Sequence, residues 1–66
     1  MSEPREQLNR IQRALDSALA MADLIDRAYD AATGHELQIP LRIASQDVGA
    51  VIALLRSAET AQEGRL

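Results

Sequence analysis

The sequence predicts an all-α protein: a two-helix antiparallel hairpin that dimerises into a four-helix bundle. Alanine and leucine, the strongest helix formers, dominate its 66 residues, whereas phenylalanine and tryptophan are absent. Apolar residues also recur at alternating intervals of three and four, the spacing that places them on one face of a helix. Gly34 and Pro40 interrupt this pattern near the middle of the chain, which predicts two helices joined by a connector.

The first helix is predicted over residues 4–32. Ser2 can cap its N-terminus, and Pro4 falls in the first turn, where a missing N–H costs no hydrogen bond. Gly34 is expected to end the helix as a left-handed residue. The apolar positions form one continuous stripe: Leu8, Ile11, Leu15, Ala18, Ala22, Ile25, Tyr29 and Ala32. A stripe with this spacing is typical of a helix that packs along its length against another helix.

The rest of the chain completes a single domain over residues 1–66. A connector is predicted at 33–40, a second helix at about 41–61, and a frayed tail at 62–66. A short loop between two helices favours antiparallel packing, so the two segments are expected to form a hairpin.

A second interpretation stays open for residues 37–43. Apolar residues alternate there with polar residues and a proline, as they do in a short strand. The helix is favoured, with a start between Pro40 and Ser45, because Leu41 then shares a helical face with Val48. Proline also restricts a strand to the edge of a sheet.

A hairpin this small leaves apolar surface uncovered, and a second copy or another protein is expected to cover it. The second helix is predicted to be shorter than the first, so Leu8 and Ile11 are expected to extend beyond it. The predicted dimer or partner interface comprises Leu8, Ile11, Leu15, Ala18, Ala22, Leu24, Ile25, Tyr29, Leu37 and Ile39. Three small residues are expected to pack closely against a helix: Ala14, Gly49 and Ala53.

The composition argues against catalysis and against metal or cofactor binding. The chain has no cysteine and no lysine, and its one histidine, His35, has no second histidine with which to complete a metal site. Two helices also enclose no substrate pocket. We therefore expect no enzymatic activity, no catalytic residue, no metal, no cofactor and no small-molecule substrate.

The charge and hydropathy of the chain narrow the class of partner. A net charge of −3 argues against nucleic acid and against an anionic membrane surface. No apolar segment is long enough to span a bilayer, and the polar N-terminal residues do not resemble a signal peptide. We expect a cytoplasmic protein whose partners are proteins.

The sequence thus predicts a non-enzymatic protein–protein interaction module, such as a regulator, inhibitor, adaptor or co-chaperone, whose partner is unidentified. It would act through exposed apolar helix faces. The alternative is a strand–helix DNA-binding regulator or antitoxin, with a ribbon at residues 37–43. In that interpretation the side chains of Gln38 and Arg42 would read the bases.

Overall fold

The computed structural model describes residues 3–32 and 34–66, which form two α-helices in an antiparallel hairpin. Helix α1 spans Pro4–Ala31 and helix α2 spans His35–Glu63. The described residues contain no strand, and the hairpin measures 48 × 16 × 14 Å. The predicted all-helical hairpin is therefore confirmed. We call the end at which α1 leads into α2 the turn end, and the opposite end the chain end.

Helix α1 packs on α2 along the predicted stripe. Leu8 and Ala18 are the buried hydrophobic residues of the described chain, each 9% exposed. The other stripe residues are half-buried: Ile11, Leu15, Ala22, Ile25, Tyr29 and Ala32. The stripe is therefore the intramolecular seam of the hairpin.

Glu3 occupies the N-cap position of α1 without a side-chain hydrogen bond, and the predicted cap Ser2 lies outside the described residues.

The predicted connector at 33–40 is wrong from residue 35 onward, because α2 begins at His35. The carbonyl of Gly34 accepts hydrogen bonds from the N–H groups of Leu37 and Gln38, both at 3.2 Å, so the first turn of α2 forms directly after this glycine. Gly34 has φ −141° and ψ 151°, which is extended backbone, so the predicted left-handed conformation is also wrong. Thr33 lies outside the described residues.

The strand interpretation of residues 37–43 is wrong as well, since all of them are helical. Pro40 lies inside α2, near its start. Only the first four N–H groups of a helix have no partner within it, and Pro40 is the sixth residue of α2, so its missing N–H removes one hydrogen bond of the helix. The continuous helix compensates by bringing Leu41 onto the seam, where it is half-buried. The DNA-binding alternative loses the ribbon on which it depended.

The early start of α2 also corrects the predicted overhang of α1. The two helices contain 28 and 29 residues, so α2 covers α1 along its whole length. Leu8 is therefore buried and Ile11 half-buried within the hairpin.

The predicted tail at 62–66 begins too early, since α2 continues to Glu63 and Gln62 is only 5% exposed. The Nε2 group of Gln62 donates a hydrogen bond of 2.9 Å to the carbonyl oxygen of Pro4. A carbonyl has two lone pairs, so this bond is compatible with the helical bonding of α1. The backbone N–H of Gly64 still bonds to the carbonyl of Thr60, whereas the N–H groups of Arg65 and Leu66 bond only three residues back, which ends the helix. The chain end of the hairpin is thus closed by a specific polar contact.

Candidate interaction surface

An open groove lies between the two helices at the turn end. Its volume is about 500 Å³, and it is lined by Ala28, Ala31, Ala32, Leu37, Pro40 and Leu41. Every one of these side chains is apolar. The groove exists because the last turn of α1 carries small alanine side chains, which leave space beside Leu37 and Leu41 of α2. The site is thus suited to apolar packing, since its lining offers no side-chain hydrogen bond.

The groove belongs to a longer apolar face of the hairpin. Residues three, four, seven, eleven or fourteen apart lie on one side of a helix. By this spacing Met21 and Leu24 share the side of Ala28 on α1, and Val51 and Leu54 share the side of Leu37 and Pro40 on α2. We call this surface the groove face and define its apolar part by Met21, Leu24, Ala28, Ala31, Leu37, Pro40, Val51 and Leu54. The same spacing also places three exposed polar residues on it: Arg10, Ser17 and Asp47.

Large side chains on the groove face are strongly exposed. Met21 is 54% exposed, Leu24 63%, Val51 47% and Leu54 71%. Single exposed apolar residues are ordinary on protein surfaces, but a contiguous group marks an interaction site. Ile39 and Ile43, on the neighbouring outer side of α2, extend the exposed apolar surface further.

The opposite side of the hairpin carries a polar contact between the helices. Pro40 and Arg42 are two residues apart, and so project from α2 about 200° apart. The Nη2 group of Arg42 donates a hydrogen bond of 3.1 Å to the hydroxyl oxygen of Tyr29. This bond raises the pKa of the Arg42 guanidinium above its ordinary value. Tyr29, the only aromatic residue of the chain, is therefore hydrogen-bonded to the other helix through its hydroxyl group.

Charge is distributed unevenly along α1. Residues 4–13 contain three arginines and one glutamate, a net charge of +2. Residues 14–31 contain four aspartates and one arginine, a net charge of −3. Asp23 and Arg27 form an exposed ion pair at 3.0 Å, which leaves the acidic excess of this segment in place. The chain end of α1 is thus basic and the remainder of the helix is acidic.

The residues predicted as a partner interface divide into two groups. Seven lie in the seam and pack against α2: Leu8, Ile11, Leu15, Ala18, Ala22, Ile25 and Tyr29. The other three are exposed, at 63% for Leu24, 60% for Leu37 and 62% for Ile39. Leu24 and Leu37 belong to the groove face, and Ile39 lies beside it. The exposed group is the part of this set that a partner can reach without opening the hairpin.

The small residues predicted to pack closely lie on the surface. Ala14, Gly49 and Ala53 are all exposed. A Cβ atom added to Gly49 would meet nothing within 4 Å, so this glycine marks no close contact between α1 and α2. Close packing at these positions against a second chain stays a prediction.

Sequence reasoning missed the groove and the exposed position of Val51. The groove requires α2 to begin at His35, whereas the sequence pattern favoured a start at or after Pro40. Val51 shares the apolar spacing of the seam, but in the hairpin it is 47% exposed on the groove face. The spacing of Val51 and Leu54 from Pro40 is the signal that would have identified the face, once a helical start at His35 was assumed.

Chemical groups that could act on a substrate are sparse on this surface. Among the described residues, no three His, Cys, Asp or Glu side chains are arranged to hold a metal ion, and His35 is exposed at the start of α2. None of the described helices is both long and apolar enough to cross a membrane. No protein-family model matches the chain, and no curated protein or solved structure shows significant similarity to it.

Proposed function

We propose that this protein is a non-enzymatic protein–protein interaction module that binds through the groove face. The observation that carries the proposal is the apolar groove together with the exposed side chains of Met21, Leu24, Val51 and Leu54, which continue it along both helices. A regulator, inhibitor, adaptor or co-chaperone would use such a surface, and the cytoplasm is its expected compartment.

The binding mode follows from the shape and chemistry of this face. A helix that lays its apolar side into a groove places a large side chain into it every three or four residues. The groove between α1 and α2 is open and apolar, so it accepts such side chains without leaving polar groups unpaired. A four-helix bundle, formed when two helices cover the hairpin, is the arrangement that buries the groove face most completely.

Site-specific photo-crosslinking in the source cells tests the proposal. A benzophenone amino acid at position 37 is expected to yield a covalent adduct with a protein, because Leu37 lines the groove. The matched control carries the same amino acid at position 12, since Gln12 is exposed on α1 about half a turn around the helix from Met21. Equal yields at both positions, or no adduct at position 37, would contradict the proposal.

A further inference from the structure

The groove face has features of a surface that pairs with itself. We propose that a second copy of this chain covers it, with the two hairpins antiparallel, so that the turn end of each copy lies over the chain end of the other. This inference rests on the proposed function, because it names the occupant of the same surface and its orientation.

The accessible surface area of the hairpin is the first observation that supports a second hairpin as the occupant. The accessible surface is 5149 Å², whereas a compact monomer of 7.2 kDa exposes about 4,100 Å². The excess of about 1,000 Å² exceeds the roughly 800 Å² that each partner contributes to a standard stable interface. A second hairpin of the same dimensions is therefore large enough to remove the surplus.

The relief of the groove face is self-complementary. In a twofold interface the same surface must provide both projections and depressions. Leu24 and Leu54 project, being 63% and 71% exposed, and the groove beside Leu37 and Pro40 is the depression. Leu54 lies towards the chain end and the groove lies at the turn end. In the antiparallel arrangement the Leu54 side chain of each copy therefore lies near the groove of the other.

The charges of α1 favour the antiparallel orientation over the parallel one. A twofold axis that brings opposite ends together places the α1 helices of both copies side by side. The +2 segment at residues 4–13 of each copy then lies along the −3 segment at 14–31 of the other. In the parallel orientation each α1 lies along α2 of the other copy. The +2 segment then meets a net charge of only −1, from Arg56, Glu59 and Glu63, and the −3 segment meets a like net charge of −1, from Glu36, Arg42 and Asp47. Opposite charges attract most within about 8 Å at physiological salt. Asp23, Asp26 and Asp30 lie on the side of α1 away from the groove face, so this attraction favours one orientation without forming direct ion pairs.

Sedimentation equilibrium tests whether the face is the dimer interface. The unaltered chain is expected to have twice its monomer mass of 7.2 kDa at micromolar concentration. Leu24→Gln is expected to raise the dimer dissociation constant by at least about tenfold, because twofold symmetry makes one substitution remove two apolar contacts per dimer. The matched control Leu19→Gln changes the same residue type about 140° around α1, and the dissociation constant is expected to change by less than about threefold.

Circular dichroism of each variant separates loss of association from loss of folding. A helical Leu24→Gln chain at monomer mass supports the proposal. A monomeric unaltered chain would overturn it, as would equal weakening by Leu19→Gln. If Leu24→Gln is unfolded, Leu54→Gln on α2 gives the same test from the other helix, because Leu54 is the most exposed large side chain of the face.

Spin labels test the orientation. The chain has no cysteine, so His35→Cys provides one labelling site, exposed at the turn end. In the antiparallel dimer the two nitroxides are expected to be separated by a distance approaching the 48 Å length of the hairpin. A short separation would show that the turn ends lie together and would overturn the antiparallel arrangement.

The failure of this inference is distinguishable from failure of the proposed function. Position 37 crosslinked in cells to a heavier, different protein, with the purified chain monomeric, would overturn the second copy and leave the interaction module standing. Absence of any adduct at position 37 would overturn both.

Discussion

The two ends of the hairpin differ in a way that chain connectivity alone does not predict. At the turn end the helices are covalently joined, yet Leu37 is 60% exposed and the groove stays open. At the chain end no covalent link holds the helices together, yet Leu8 and Gln62 are 9% and 5% exposed. Closeness along the chain therefore does not ensure burial in this protein.

Side-chain size explains the difference. The last turn of α1 and the residue after it present Ala28, Ala31 and Ala32, which are too small to fill the space beside the leucines of α2. At the chain end a leucine and a glutamine reach across the seam, and the glutamine adds a hydrogen bond to Pro4. The comparison indicates that the chain end stabilises the hairpin, whereas the turn end leaves apolar surface exposed.

The largest expected effect is at the chain end. Leu8→Ala removes one of the buried hydrophobic side chains and is expected to lower the free energy of unfolding by about 2 kcal/mol or more. A core of this size supplies roughly 3–5 kcal/mol in all, so the variant should be close to unfolding. Urea denaturation followed by circular dichroism measures the change.

Leu37→Ala is the matched control at the turn end, because it deletes the same atoms from a residue that is 60% exposed. Its effect on the unfolding of the hairpin is expected to be about 0.5 kcal/mol or less. Equal losses of stability for the two variants would abolish the contrast between the ends.

A smaller effect is expected from the hydrogen bond that closes the chain end. Gln62→Ala removes the donor to the Pro4 carbonyl and is expected to cost about 1 kcal/mol of unfolding free energy. Gln46→Ala, at an exposed position of α2, controls for the loss of a glutamine from the helix. If both variants melt at the same temperature, the Gln62 bond contributes nothing to the closure.

The sequence was sufficient to predict the helical hairpin and the seam residues of α1, because their spacing of three and four repeats over the whole helix. It was not sufficient for the start of α2. Period-two alternation at residues 37–43 and a proline both oppose a helix there, whereas the helix places Leu41 half-buried on the seam, a contact that the local pattern does not reveal. Gln62 was assigned to a frayed tail because its bond to Pro4 joins residues 58 positions apart, which no local pattern reveals.

The candidate surface was predictable only in part, because it too depends on contacts between residues that are far apart in the sequence. Leu24 and Leu37 were identified as interface residues from their apolar character, and both are exposed on the groove face. The groove itself depends on which side chains of α1 meet the first turns of α2. That register is set by the three residues between the helices, so an error in the start of α2 removes the groove from any prediction.

The smallest expected effect on stability comes from a substitution that fills the groove. Ala28→Leu adds apolar atoms beside Leu37 and Pro40 and is expected to raise the unfolding free energy of a single hairpin by about 0.5–1 kcal/mol. Gln12→Leu, at an exposed position of α1 about half a turn from Met21, controls for the gain of a leucine away from the groove face. Thermal melts over a range of protein concentrations measure the stability of the hairpin and the strength of its association.

Filling the groove should have opposite effects on the stability of the single hairpin and on its association with a second copy. A leucine at position 28 occupies the space that a side chain from a second copy would enter, so Ala28→Leu is expected to weaken association while it stabilises the hairpin. The melting temperature should then rise in dilute solution and lose its dependence on concentration. A variant that both stabilises the hairpin and strengthens association would show that the second copy does not insert into the groove, and the turn end would then be open for a different reason.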